Sequence, residues 1–436
     1  MFSNKDLRKL IIPLVIEQLL AVTIGMADTV MVSSCGEAAV SGISLVDSIN
    51  FLLITLFSSL ATGGAVIASQ YIGRGDHKSA SLAAKQLFYA SLALSAVLGV
   101  IAVFFRKPVL NMVFGSIEAD VMAHAQIYFL LSAISYPFLA VYNAGAALFR
   151  SMGDSRTTML ISILMNTINI VGNAILIYGF QMAAAGAATA SLVSRAVGAI
   201  IITVLLLNPR RIIFYDKLHK PEIHLSMLKS ILQIGVPNGL ENSIFQIGKI
   251  LVASIVSGFG TISITANAVA GNLASLQVIP GMALGMAMIT VVGQCIGAKD
   301  YEAVKKYTKK LMLITYGVVW AMTLLMLLFS KQILSFYSLS EETTTMTMEV
   351  FIVHGICAVI VWPLAFALPN ALRAANDVRF TMIVSLLSMW IFRIGFSYVL
   401  AIYFNMGILG TWIAMCIDWF CRGACFVIRF ARGKWK

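Results

Sequence analysis

Glu17, Asp28, Asp47, Glu241 and Asp418 are carboxylates lying inside, or at the rim of, long apolar runs of the sequence. A charged side chain at the centre of a bilayer costs about 2.5–3.5 kcal/mol even on the lenient insertion scale. Such groups must therefore face a cavity or a partner, and each is a functional candidate able to take up and release a proton or hold a cation. Asp28 follows Pro13 by 15 residues, about 22 Å along a helix, so a bendable stem leads to a titratable group. A structural hydrogen bond to a neighbouring helix is the competing reading of Asp28. Glu17 and Glu241 stand at matching places after Pro13 and Pro237, where a coupling role and a shared packing role beside the prolines fit about equally. Asp47 and Asp418 lie nearer the ends of their runs, where an interfacial position would suffice, and Asp418 has Arg422 one helical turn on.

Asn166, Asn169 and Asn173 fall at i, i+3 and i+7, one stripe of a helix. An apolar helix gains nothing from three amides on one face unless they bond to other helices, water or a cation. Asn143, Thr189 and Ser191 can complete a polar pocket with them, though each alone also suits an ordinary interhelical hydrogen bond. Lys249, Arg195 and Arg393 sit deep in apolar runs and can neutralise carboxylates.

The elements that must position these groups follow from composition. The chain has 436 residues, 59% hydrophobic and 11% charged, which excludes a water-soluble enzyme. At ~20 residues per crossing, twelve helices would take up about as much chain as the apolar fraction provides. Apolar runs predict spans near 10–33, 43–72, 81–105, 123–149, 157–180 and 184–207, then 230–257, 266–296, 309–330, 346–372, 380–403 and 407–428. The fold class is thus an all-α integral membrane protein of twelve transmembrane helices. The formal charge of +12 reads as topology: 24 of the 31 Lys and Arg residues fall at the termini and in every second loop. That pattern places both termini in the cytoplasm and the chain in the cytoplasmic membrane, in contact with the lipid bilayer. Basic residues dispersed over short loops do not make a nucleic-acid surface.

A shift of 224 residues brings Pro13, Glu17, Ser33, Gly36, Gln70, Gly73 and Asp76 onto Pro237, Glu241, Ser257, Gly260, Gln294, Gly297 and Asp300. Further along, Arg150, Asp154 and Arg156 meet Arg373, Asp377 and Arg379 at 223, and Met182 and Gly186 meet Met406 and Gly410 at 224. The architecture is therefore two pseudo-symmetric six-helix bundles. Residues 1–207 form an N-terminal lobe, 208–229 a cytoplasmic linker and 230–436 a C-terminal lobe. Six being even, both halves start from the same side, a parallel repeat whose cleft is the natural substrate path. At a shift of 223 the amides Asn166, Asn169 and Asn173 meet Met389, Phe392 and Phe396, and Asp28 meets Val252 at 224, so the polar stripe and the acid belong to the first copy.

Other chemistries are set aside. The six cysteines form no CxxC and read as small core residues rather than a disulfide framework or zinc site, and the five histidines have no metal spacing. Gly248-Lys249-Ile250 lacks the remainder of a phosphate loop, so no nucleotide cofactor is expected. Gly73-Arg74-Gly75-Asp76 with Tyr215-Asp216 imitates an intramembrane aspartyl protease, yet both fall in basic loops rather than at membrane depth. The chain reads as not an enzyme.

Together these residues resemble the multidrug and toxic compound extrusion (MATE) family of bacterial exporters across the whole chain. The resemblance rests on Pro13 to Asp28 followed by Gly36, the Gly73-x-x-Asp76 loop, Arg150-Ser-Met-Gly153-Asp154, Asn169-Ile-Val-Gly-Asn173 and Gly186-Ala187-Ala188, in that order. It implies a monomeric antiporter coupled to H⁺ or Na⁺ that exports bulky, often cationic drugs by alternating access. It assigns coupling to Asp28, Asn169, Asn173, Asn143 and Glu241, a substrate cavity to Asp28, Asp47, Asn166 and Thr189, bending to Pro13, and no metal beyond Na⁺ at the coupling site. The chain departs from the family at Asn173, commonly an aspartate there. A lipid-linked precursor flippase of the same superfamily is the nearest alternative, although such chains tend to carry more than twelve spans.

Overall fold

The structure is a computed structural model that describes residues 2–115, 118–220, 222–337 and 339–435, apart from the side chains of Met26, Ala27 and Thr29. Among the described residues, twelve helices are long and apolar enough to cross a membrane: α1 (Asn4–Ser33), α2 (Glu37–Gly73), α3 (His77–Phe114), α4 (Ala119–Ser151), α5 (Ser155–Gly179), α6 (Ala183–Leu206), α7 (Leu225–Ser257), α8 (Thr261–Gly297), α9 (Tyr301–Leu328), α10 (Glu341–Ile360), α11 (Val378–Tyr403) and α12 (Gly407–Ala431). The protein is an all-α multi-pass membrane protein. At 1.5 Å per residue, the 37 residues of α2 and of α8 reach about 55 Å, so these helices tilt or project beyond a ~30 Å hydrocarbon layer.

Local sequence fixes where the helices begin. Ser3 and Asp6 form a reciprocal capping box on α1, the Asp6 amide donating to Ser3 Oγ at 3.2 Å and the Ser3 amide to Asp6 Oδ2 at 2.9 Å. Asp76 caps α3 by accepting the Ser79 amide at 3.0 Å, and Asp300 caps α9 by accepting the Ala303 amide at 2.9 Å. Hydrogen bonds from Ser79, side chain first and then backbone, hold the exposed Asp76 carboxyl below the ordinary carboxylate range. That anchored, ionised cap is the loop role that the protease-like pattern around Asp76 serves. Gly36 and Gly260 open α2 and α8 at φ of 95° and 90°, a region glycine enters without a Cβ penalty.

These matched pairs carry the 224-residue repeat into three dimensions, and the shift between 223 and 224 acquires a physical cause. In α5 the buried positions include Ser155, Thr158, Asn169 and Asn173; in α11 they include Val378, Thr381, Arg393 and Ser397. The offset is 223 for the first two pairs and 224 for the last two. Between them lies a π-helical stretch, Met389–Gly395, the form in which a helix absorbs one inserted residue. The inward counterparts of Asn169 and Asn173 are accordingly Arg393 and Ser397, not Phe392 and Phe396. The expectation of a wholly apolar stripe in the second copy is corrected.

The chain divides into two compact units, Met1–Gly239 and Leu240–Lys436. In the first, α2 packs along α4, α4 against α3 and α6, and α1 against α5, around Phe57, Phe129, Tyr136 and Leu139. Residues 208–224 are pinned to this unit rather than hanging free. Gln86 donates to the Glu222 carbonyl at 2.7 Å and accepts the His224 amide at 3.0 Å, Tyr89 donates to the Leu218 carbonyl at 2.8 Å, and Arg211 pairs with Asp154 at 3.0 Å. In the second unit, α8 packs on α9 and α10, with Trp362, Trp412 and Trp419 in the core. Cys357 of α10 and Cys416 of α12 form a disulfide with Cα atoms 5.9 Å apart. This corrects the reading of all six cysteines as core residues: the pair is 59 residues apart in sequence and only the packing of α10 on α12 brings it together. The boundary between the units falls inside α7, directly after Pro237-Asn238-Gly239.

The first half of α7 approaches α2 at backbone range. A Cβ built on Gly63 would lie 2.5 Å from the Ile231 carbonyl oxygen and 2.9 Å from the Gly235 nitrogen. Gly63→Ala should lower the stability of the detergent-purified protein by about 1–3 kcal/mol, an overpacking cost. Gly317→Ala, where a Cβ meets nothing within 4 Å, should leave melting unchanged or raise it; thermal melting of the two variants side by side checks this.

Candidate cation site of the N-terminal unit

α1 runs unbroken through Pro13 and carries Asp28. The amide nitrogen Nδ2 of Asn173, from α5, donates to Asp28 Oδ1 at 2.6 Å. The same Nδ2 lies 3.5 Å from Asn169 Oδ1, and Asn169 Nδ2 donates to Ser191 Oγ of α6 at 3.0 Å. Asn169 and Asn173 are both buried, and Asn173 Oδ1 is a buried acceptor without a donor among the described residues. A single chain of hydrogen bonds thus links α1, α5 and α6, ending on an oxygen with spare capacity beside the acid.

A second cluster is built on α2 and α4. Asp47 Oδ1 accepts from Tyr128 Oη at 3.0 Å and from Asn50 Nδ2 at 3.2 Å. Asn50 in turn accepts from Tyr136 Oη at 2.8 Å and donates to Ser132 Oγ at 3.3 Å. Arg195 of α6 donates to Ser135 Oγ at 2.7 Å. Asp28, Asp47 and Arg195 lie within electrostatic range of one another, two carboxylates against one guanidinium. The unit's interior is therefore net acidic and lined with carboxylate, amide and hydroxyl oxygens, the hard donors that suit a proton or an alkali cation.

Asp28, Asn169 and Asn173 are thus gathered into one network with Asp47 nearby. Three other residues from the sequence reading stand outside these bonds. Asn166 is half-buried with its amide 3.4 Å from Ser162 Oγ of its own helix, and Thr189 donates to the Ala185 carbonyl one turn back at 2.7 Å. Asn143 is half-buried on α4, eight residues beyond Ser135, about 12 Å farther along the helix. Tyr128, Asn50 and Tyr136 were not singled out from sequence. Their one signal was Asn50 standing i+3 from Asp47; the two tyrosines look like ordinary aromatics in an apolar run.

Glu241 lies in the C-terminal unit, where Arg373 of the short helix Leu368–Ala374 reaches its Oε1 at 2.8 Å. Its repeat partner Glu17 pairs with Arg150 at 3.1 Å and accepts from Thr158 Oγ1 at 2.8 Å. Arg150 and Arg373 are themselves repeat partners, so the same ion pair occurs once in each copy. Asp418 is fully buried rather than interfacial, held by Ser388 Oγ at 2.5 Å and by Arg422 at 2.9 Å, with Arg393 at 3.8 Å.

The MatE family model matches the chain twice, over residues 13–175 and 237–399. The chain belongs to the MatE family of efflux transporters. The two matches begin at Pro13 and Pro237 and are offset by 224 residues, the spacing of the internal repeat. Curated relatives span nearly the whole length: "Uncharacterized transporter YisQ" of Bacillus subtilis is 26% identical over 97% of this chain and 93% of its own. "Probable multidrug resistance protein NorM" of Thermotoga maritima is 26% identical over 99% and 93%. Among solved structures, "Crystal structure of MATE in the bent conformation" superimposes with a TM-score of 0.89 at 20% identity, covering 99% of this chain and 94% of that one. An outward-facing structure of a multidrug resistance MATE family transporter gives 0.89 at 21%, covering 98% and 95%. Those two likenesses establish the MATE fold.

The paired Glu–Arg bonds give a test of structural function. Removing one partner of a largely buried ion pair leaves the other uncompensated, so Arg150→Ala and Arg373→Ala should each cost on the order of 2–3 kcal/mol. Glu17→Gln combined with Arg150→Met should recover part of that loss; equal melting temperatures for single and double variants would refute the assignment.

Proposed function

We propose that this MatE-family chain is a cation-coupled antiporter, driven by H⁺ or Na⁺, that exports bulky and often cationic organic compounds across the cytoplasmic membrane by alternating access. Both termini are cytoplasmic and the working unit is a monomer. The observation that carries the coupling assignment is the Asp28–Asn173 bond at 2.6 Å, with the buried Asn173 Oδ1 left unpartnered beside it. A carboxylate accepting from one amide strengthens that bond by its charge. Neutralising Asp28 with a proton, or giving it a cation shared with the Asn173 and Asn169 oxygens, removes the charge assistance and weakens the tie between α1 and α5. α1, which carries Pro13 in its cytoplasmic half, can then change shape about the position where the proline removes a backbone donor. An ion arriving from outside thereby favours one shape of α1, and a ligand that binds the two shapes unequally shifts the balance between them.

The relatives named as probable multidrug resistance proteins support the substrate class, and the acidic interior around Asp28 and Asp47 suits organic cations. The MatE match and the twelve spans among the described residues favour export of soluble compounds over the lipid-precursor flippase, whose chains tend to carry more spans. The basic distribution of the loops supports the orientation of the termini.

Reconstituted Asp28→Asn protein should keep its melting profile yet lose gradient-driven substrate efflux down to the level of protein-free vesicles. Undiminished coupling in that variant would sink the assignment. Imposing a pH gradient and a Na⁺ gradient separately on wild-type vesicles identifies the ion, because only the coupled gradient should drive efflux.

A further inference from the structure

The C-terminal unit contains a group of cations whose charge the carboxylates of that unit, among the described residues, do not balance. Lys249 Nζ lies 5.4 Å from the centre of the Phe245 ring, Arg393 Cζ 5.3 Å and Arg422 Cζ 5.4 Å, so three cations surround one phenyl group. Arg422 also stands 4.6 Å over Phe366, whose ring is 6.1 Å from that of Phe245. The one carboxylate facing them is Asp418, fully buried and already held by Ser388, Arg422 and, at 3.8 Å, Arg393. The other carboxylates of the unit's ion pairs are engaged elsewhere: Glu241 with Arg373, Asp377 with Arg429 and Glu302 with Lys305.

Elsewhere in the chain each interior cation of an ion pair meets one acid, as in Arg150–Glu17 and Arg373–Glu241. A purely structural cluster would follow that one-to-one rule, since surplus like charge in an apolar interior is costly. Here three cations meet one acid. The Nε–H groups of Arg393 and Arg422, on residues more than nine-tenths buried, have no acceptor among the described residues, and since the same holds for Nε of the paired Arg373, it is the number of cations that sets this group apart. Cation–π contact with two rings offsets only part of that cost. Lys249, by contrast, keeps exposed surface although neighbouring side chains crowd it and partly desolvate it, and so is the member a ligand can reach.

We infer that Lys249, Arg393, Arg422, Phe245 and Phe366 form a binding site for an organic oxyanion, a carboxylate or phosphate carried on a flat apolar body. The anion balances the surplus charge, with Lys249 as its contact group and the buried guanidiniums supplying field and N–H donors. The body lies against the half-buried Phe245 and Phe366. The site uses none of the residues assigned to cation coupling and does not rest on that reading. The same oxyanion chemistry is offered by a soluble aromatic acid and by an anionic phospholipid headgroup.

Calorimetric titration of the full-length protein in neutral detergent with 1-naphthoate, 1-naphthyl phosphate and the uncharged 1-naphthamide tests this. Binding of either anion in clear preference to the amide is expected. Lys249→Gln should weaken it about tenfold or more, as loss of one charge from a close pair does, while Lys249→Arg retains it. Because Lys249 is exposed, the Lys249→Gln variant should melt with the wild type. Asp28→Asn should bind the anions normally, which separates this proposal from the coupling assignment. Stabilisation by phosphatidylglycerol over phosphatidylcholine that is lost in Lys249→Gln, together with displacement of the probe, would assign the site to a lipid headgroup. Absence of anion binding, equal binding of anion and amide, or wild-type affinity in Lys249→Gln would show the cations to be structural and overturn the inference.

Discussion

Hydrocarbon cannot solvate charge, and the buried ion pairs of this chain are arranged around that fact. The Glu17–Arg150 and Glu241–Arg373 pairs, at 3.1 Å and 2.8 Å, are each completed inside their own six-helix repeat. So is Asp377–Arg429 at 2.7 Å. A unit that satisfies its own charges can be duplicated without stranding any of them. That is why a parallel repeat can preserve the Glu–Arg pair, at sequence separations of 133 and 132 residues, while most of the surrounding apolar residues change. At Asp28 no such pair is completed among the described residues, since its hydrogen-bond partner Asn173 is neutral.

The second copy differs from the first through one inserted residue as much as through substitution. The π-helical stretch Met389–Gly395 advances the register of α11, so that Arg393 points inward where the first copy presents Asn169. Without that insertion the inward position would fall to Phe392, and the second unit's interior would be aromatic instead of basic. A change of one residue in backbone register therefore exchanges an apolar side chain for a cation at the depth of the membrane, a larger chemical effect than most point substitutions can produce.

The twelve spans, the duplication and the family were legible in the sequence because hydrophobic run length and fixed-spacing identities such as Pro13/Pro237 and Gly36/Gly260 are local properties. The Asp28–Asn169–Asn173 network was legible for a related reason: an amide stripe on an apolar helix has no use except to meet a partner, and an acid lay at matching depth. Tyr128, Tyr136 and Asn50 were hidden because a tyrosine in a span reads as a lipid-facing aromatic until α2 and α4 are packed together. The Cys357–Cys416 pair was hidden because its residues come from helices joined only by tertiary contact. The correspondence of Arg393 with Asn169 was hidden behind Phe392 because sequence alignment of the copies cannot say where within a helix an insertion is absorbed; the buried positions of α5 and α11 can.

What remains of the two interiors after these pairs are counted differs in sign. In the first unit, Arg195 opposes two carboxylates, and removing Asp28 from consideration leaves a balanced set. In the second, Asp418 opposes Arg393 and Arg422 at 3.8 Å and 2.9 Å, and Lys249 has only the Phe245 ring at 5.4 Å. Asp28 and Lys249 are thus the side chains that make each surplus largest. They also occupy corresponding places, for the repeat counterpart of Asp28 is Val252, and Lys249 stands three residues before it, one turn away on the same face of α7. The first helix of each repeat therefore bears, within a turn of the same depth, a charge that its unit does not match with an opposite one. It is negative in the first copy and positive in the second. The helices that bear these charges each carry a proline in their N-terminal halves, Pro13 and Pro237, where one backbone donor is missing from the helix. An ion bound at either proposed site would therefore act on a helix that has lost one backbone hydrogen bond to its proline.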